Sequence, residues 1–399
     1  MLSRLHSSLP KSIFKTALPK PTIATHISRQ FTNMSATNQL YGSGSARPND
    51  QQPARKILAD FRSDTVTTPS RAMREAMLTA EVGDDVFGED PTINELQRKV
   101  AEMTGHEDAL FLPTATMSNQ IAVRTHLTCP PYSVICDHRA HVFNYEAGGI
   151  SYLTGAQLVP VTPLPDHPHL TAAAITPHLV LDDDVHHTPT RLICMENTLN
   201  GEVVPIENIR EVTALARGKG VRTHLDGARL WHASVKTGIE LREYCGHFDS
   251  VTLCFSKALG APVGSTLVGS KAFIKKARHF RKMFGGGMRQ AGLLASACLH
   301  ALSHTLPTLH QTHAIATSLA TRITSLGLPL TKSPDTNMVW FESPVSADEL
   351  KVLLEAEGVR IFGGVGREVR LVVHWQVGEE GVEAVVRVLE GLVKREGTK

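Results

Sequence analysis

The chain has 399 residues, 42% of them hydrophobic and 20% charged, with a formal net charge of +2. That balance suits a globular enzyme of about two domains and excludes a disordered chain. The small net charge gives no basic field for nucleic acid, and no apolar run reaches the roughly 18–20 residues of a membrane span.

The first 49 residues carry Lys, Arg, Ser and Thr but no acid, Asp50 being the first carboxylate. This is the composition of a mitochondrial transit peptide. The alternative is a disordered tail, with Met34 as a second start, so localisation stands open between mitochondrial and cytoplasmic. Residues 1–55 are read as a leader outside the fold.

The stretch "EDPTINELQRKVAEMTG" predicts a helix capped by Asp90, with Pro91 in the first turn, Gly105 at the end, and Ile93, Leu96, Val100 and Met103 on one face. "ALFLPTATMSN" runs from a short strand through a Thr/Ser turn into the helix "SNQIAVRTHL". "SVICD", "RLICMEN", "VRTHLD" and "SVTLCFS" read as further buried strands, with the helix "IENIREVTALARGKG" between the second and third of them. Apolar strands alternating with helices predict an α/β domain with a mostly parallel sheet, over residues 56–304. Beyond it a smaller α+β domain is expected over 305–399. It would comprise the helices "ATSLATRITSLG", "ADELKVLLEAEG" and "EEGVEAVVRVLEGLVKRE" and the strands "NMVWFES", "VRIFGG" and "VRLVVHW". The six cysteines are scattered without a C-x-x-C pair, which reads as free thiols in a reducing compartment, with neither a disulfide framework nor a metal site.

In open α/β sheets functional groups collect at the carboxyl ends of the strands. Those ends are followed by Thr114-Ala115-Thr116, by His138 and His141, by Glu196-Asn197, by Asp226-Gly227-Ala228-Arg229 and by Ser256-Lys257. A helix start rich in hydroxyls suits a phosphate. An aspartate at a strand end can pair with a pyridinium nitrogen, a lysine can form a Schiff base, and a histidine ring can stack on a heterocycle. Each alone has an ordinary structural reading, the threonines as a helix cap and Asp226 as a partner of Arg229. Gathered on one edge they are the parts of a pyridoxal 5′-phosphate site.

The motifs "FRSDTVTTPSRAMREAM", "VGDDVFGEDPT", "FLPTATMSN", "AHVFNYEAGG", "ENTLNGEVVP", "HLDGARLWHA", "SKALGAPVGS", "RKMFGGGMRQ" and "VRLVVHW" resemble, in order, those of the low-specificity L-threonine aldolases, which have the aspartate-aminotransferase-like fold. The resemblance runs from about Phe61 to Val373. It implies Lys257 as the lysine bonded to the cofactor, Asp226 as the partner of the pyridinium nitrogen, and His141 on the ring face near the β-hydroxyl. Thr114, Ala115 and Thr116 would cradle the phosphate. Ser63, Arg229 and Arg370 would hold the substrate carboxylate, Arg229 also touching the phenolic oxygen of the cofactor. Lys282 and Arg289, beside Gly285-Gly286-Gly287, would reach the phosphate of a neighbouring subunit. A homotetramer with active sites at dimer interfaces is implied, acting on a small β-hydroxy amino acid. Two positions depart from the pattern: many relatives have glycine where Ala115 stands and histidine where Leu199 stands.

The expected reaction is cleavage of L-threonine or L-allo-threonine to glycine and acetaldehyde, with His141 as base or as a stacking ring only. An alanine racemase or a β-eliminating lyase on the same scaffold is the nearest alternative. A non-catalytic subunit of the same fold is disfavoured by the presence of Lys257, Asp226, Arg229 and Arg370 together.

Overall fold

The structure is a computed structural model and describes residues 57–396; the expected leader lies outside them. Its strands, in chain order, are β1 (Ala59–Asp60), β2 (Asp108–Leu112), β3 (Ser133–Asp137), β4 (Gln157–Val161), β5 (Thr190–Glu196), β6 (Arg222–Gly227), β7 (Ser250–Cys254), β8 (Ser265–Gly269), β9 (Met338–Glu342), β10 (Val359–Arg360) and β11 (Glu368–Val372). Seven of them form the main sheet in the order β2-β8-β7-β6-β5-β3-β4. β8 runs antiparallel to both β2 and β7, and the other pairings are parallel. The mostly parallel α/β domain is therefore as expected. β4 and β8 were not anticipated.

Local chemistry explains the elements. The helix Pro91–Thr104 starts where Asp90 accepts the Ile93 N–H at 3.0 Å and ends at Gly105, whose φ of 73° is left-handed. β3, β6, β7 and β8 are buried on both faces apart from Arg222, as strands covered by helices on each side must be. Ile93, Leu96, Ile209, Leu225, Trp231 and Leu253 share one core on one side of the sheet. Val123, Val134 and Leu192, and separately Leu110, Ile121 and Ile274, fill smaller clusters.

A further core gathers Leu319, Phe341, Leu350, Leu371 and Leu389. It is built from the helices Leu309–Ser325, Ala347–Ala356 and Glu379–Glu396 and the antiparallel pair β9–β11. Ala59 and Phe61 belong to this core as well, and β1 pairs in parallel with β10. The first described strand thus packs on the C-terminal elements, not on the main sheet. All six cysteines are free. No helix among the described residues is long and apolar enough to cross a membrane.

Candidate active site

The carboxyl ends of β2, β3, β5, β6 and β7 converge on one edge of the main sheet. Asp226, near the end of β6, is 2% exposed. Its Oδ1 accepts the Ala228 N–H at 3.0 Å and its Oδ2 accepts from Asn119 Nδ2 at 2.8 Å. Gly227 follows because no other residue fits: a Cβ there would stand 2.6 Å from the Thr252 carbonyl oxygen.

Two more acids crowd Asp226. Glu146 is 4% exposed; its Oε1 accepts from Asn119 Nδ2 at 2.9 Å and meets His141 Nδ1 at 3.0 Å. Facing oxygen and nitrogen atoms of His141, Glu146 and Asp226 lie within 4.8 Å of one another. Glu196, at the end of β5, accepts the His141 N–H at 2.7 Å. Burial and the charge of Asp226 push its carboxyl up to about 7. Burial likewise raises Glu146, against the bonds from His141 and Asn119. Burial opposes protonation of His141, but the bond to Glu146 and the charge of Asp226 outweigh it and raise its pKa. His141 and Glu146 are therefore a hydrogen-bonded pair in which both groups bind a proton more readily than usual.

Lys257 follows β7 and is half-buried. Its charge acts on Asp64, Glu196 and His141. Thr114 caps the helix Ala115–His126, its Oγ1 accepting the Met117 N–H at 3.1 Å. The first-turn amides of Ala115 and Thr116 have no intrahelical acceptor, as at any helix start. A Cβ on Gly286 would collide with Met117, so the triple-glycine turn lies against this helix. Of its flanking cations, Arg289 pairs with Asp84 at 3.1 Å and Lys282 is exposed.

Arg229 is engaged by a residue that motif reading passed over. Its Nε and Nη2 fork onto Asp64 at 2.7 and 2.6 Å. Burial alone would raise Asp64, but Arg229 holds it well below the usual carboxylate range. Ser63 precedes Asp64 and caps a short turn, its Oγ accepting the Thr65 N–H at 3.2 Å. Arg370, on β11, donates from Nη2 to the Arg62 carbonyl at 3.2 Å, and its guanidinium stands 5.6 Å from the rings of both Trp340 and Phe362. His138 stays at the surface beside Asp137. Leu199 is 4% exposed and opens a hairpin whose tip, Asn200-Gly201, has φ of 55° and 90°.

Asp64, Asn119, Glu146 and His224 belong to the site or its support and were missed. The signal for Asp64 was present in "FRSDTV", where attention went to the serine. The residues fit the cofactor expected for them: a buried acid cluster at one end calls for a cation such as a pyridinium, and a helix start at the other calls for an anion.

Such a site on such a sheet is that of a pyridoxal-phosphate enzyme, and the sequence model of the Beta-eliminating lyase family matches residues 60–344. The chain is 42% identical over 357 residues to a probable low-specificity L-threonine aldolase of Schizosaccharomyces pombe, covering 88% of this chain and 92% of that protein. An alanine racemase of Cochliobolus carbonum is 38% identical, covering 85% and 89%. The structure of a Leishmania major threonine aldolase superposes with a TM-score of 0.73 at 22% identity, covering 84% and 99%. The chain belongs to the low-specificity L-threonine aldolase family.

Proposed function

We propose that this protein cleaves L-threonine and L-allo-threonine to glycine and acetaldehyde with pyridoxal phosphate as cofactor. The observation that carries the proposal is the single sheet edge that gathers Lys257, buried Asp226, the His141–Glu146 pair and the Thr114 helix start. Bound covalently, pyridoxal phosphate supplies an electron sink for the pair released when a bond to Cα breaks. Lys257 provides the amine that holds it. Asp226 holds a proton at the ring nitrogen, which deepens the sink. The amides of Ala115 and Thr116, with Thr114, take the phosphate. Arg370 and Arg229, with Ser63, fix the substrate carboxylate and so choose which bond to Cα stands in line with the sink. The His141–Glu146 pair accepts the β-hydroxyl proton as Cα–Cβ breaks, and a proton delivered to Cα completes glycine. Lys282 and Arg289 of a second copy complete the phosphate site, in a homotetramer.

The same groups serve a racemase, and the relative of that name keeps the reading open to test. The experiment offers the purified protein L-threonine and L-alanine separately. Glycine and acetaldehyde from the first are expected; D-alanine from the second, without aldehyde from the first, overturns the proposal.

A further inference from the structure

Asp226 stands at one end of a hydrogen-bonded column that runs along one face of the sheet, beneath the helix Ala115–His126. Asn119, wholly buried, donates from Nδ2 to Asp226 Oδ2 and turns its Oδ1 to His224 Nε2 at 3.1 Å. His224, on β6 and also wholly buried, meets Ser250 Oγ through Nδ1 at 2.8 Å. Ser250 Oγ meets His126 Nε2 at 2.8 Å. His126 lines a cavity of about 540 Å³ at the opposite end of the parallel strands.

Donor accounting fixes the direction of every bond. A carboxylate only accepts, so Asn119 shows its NH₂ to Asp226 and Glu146 and its oxygen to His224. An amide oxygen only accepts, so His224 carries its hydrogen on Nε2. A neutral imidazole has one hydrogen, so Nδ1 takes the hydroxyl hydrogen of Ser250, whose oxygen accepts from His126 Nε2. Neutrality is supported by burial, which lowers His224 to about 4 and His126 to about 3. The charged groups facing the column are Glu146 and Asp226 on Asn119, Asp226 on His224, and Asp249, Arg222 and Lys276 on His126. Every donor points toward Asp226.

We infer that His224, Ser250 and His126 are positioning residues that lock the Asn119 amide with its NH₂ toward Asp226, holding Asp226 in place as acceptor for a protonated ring nitrogen. The inference rests on the assignment of Asp226 made above. A chain of aligned donors strengthens each bond in it. Without the hydrogen on His224 Nε2, the Asn119 oxygen loses its partner, and the orientation of the amide rests only on its bonds to Asp226 and Glu146. Asp226 is then less firmly placed at the ring nitrogen.

The test uses the holoenzyme loaded with pyridoxal phosphate carrying ¹⁵N in the ring, whose chemical shift reports the protonation of that nitrogen. The variants are His224→Phe, which keeps a ring and removes both nitrogens; His224→Gln, which restores a donor toward Asn119; Ser250→Ala; and Asp226→Asn. In wild type a protonated signal across the neutral pH range is expected. His224→Phe should move the signal toward the unprotonated value and lower kcat by about tenfold or more, with KM changed less than about twofold. Ser250→Ala should move it the same way by less, and His224→Gln should restore most of it. If His224→Phe does not fold, Ser250→Ala, which loses only a hydroxyl, decides. Signals of His224→Phe and Ser250→Ala identical to wild type, while Asp226→Asn moves, overturn the inference alone. An unmoved signal in Asp226→Asn overturns the Asp226 assignment and the inference with it.

Discussion

Asp64→Asn isolates what the buried ion pair under the site contributes. The substitution keeps the shape of the side chain and removes its charge. Arg229, with only 14% of its side chain exposed, then faces an amide where it had two charge-assisted bonds at 2.6 and 2.7 Å. Asn337 Nδ2, 3.4 Å from Asp64 Oδ2, is a donor and cannot compensate for the lost charge. Breaking a buried pair by removing one partner costs about 3–5 kcal/mol, because the remaining charge is uncompensated. At roughly 2 °C per kcal/mol for a chain of this size, Tm should fall by about 6–10 °C. Thermal unfolding at one protein concentration, with cofactor in excess, reads this directly. The double variant Asp64→Asn/Arg229→Gln removes both charges and should recover part of the loss while remaining nearly inactive, since Arg229 is gone. A Tm for Asp64→Asn within about 2 °C of wild type, or a double variant less stable than Asp64→Asn alone, would refute the reasoning.

Other outcomes follow from the same geometry. Lys257→Ala is expected to abolish turnover and the covalent retention of pyridoxal phosphate through dialysis, with Tm little changed; retained chromophore would remove Lys257 from its role. His224 and His232 are buried and neutral, with pKa lowered by burial to about 4 and about 3 from 6.5. The unfolded chain therefore binds more protons below pH about 6.5, so stability should fall as pH drops through that window, by up to about 1.4 kcal/mol per pH unit for each histidine. A urea midpoint that stays flat there would contradict it. Leu199→His inserts a polar ring at a buried turn and should destabilise by about 1–3 kcal/mol. With leucine in place, kcat/KM for L-threonine and L-allo-threonine should differ by less than roughly 200-fold, and a ratio well above that would point to a dedicated hydroxyl contact.

Lys257, Asp226, His141 and Thr114 were legible because each follows an apolar run, and strand ends in a parallel sheet share one edge. Asp64, Asn119 and His224 were not, because their meaning is a long-range contact: Arg229 meets Asp64 across 165 residues and Asp226 meets Asn119 across 107. β4 was missed because "QLVPV" contains Pro160 and alternates little. It is an edge strand, paired with β3 alone, where a proline is tolerated. β8 was not anticipated, because "STLVG" is a short run that follows Gly260, Pro262 and Gly264, although its five residues are all buried between β2 and β7. "VRIFGG" promised a longer strand than Val359–Arg360, because its partner is only the two-residue β1.

Apart from Arg229, which follows β6, the groups assigned to the substrate sit on a different part of the fold from those assigned to the cofactor. Thr114, His141, Asp226 and Lys257 follow or end strands of the main sheet, whose buried strands give each a fixed position. Ser63 and Arg370 belong to the other core: Val372 N–H donates to the Phe61 carbonyl at 2.8 Å, and Arg370 itself holds the Arg62 carbonyl. The segment carrying Ser63 is thus fastened to the strand carrying Arg370, and Asp64 at its end ties both to Arg229 beside β6. Substitutions in that clasp would turn the substrate carboxylate without disturbing the acid held at the ring nitrogen. They would change which bond to Cα is aligned for cleavage, and so the choice between breaking Cα–Cβ and breaking Cα–H, while leaving the electron sink intact.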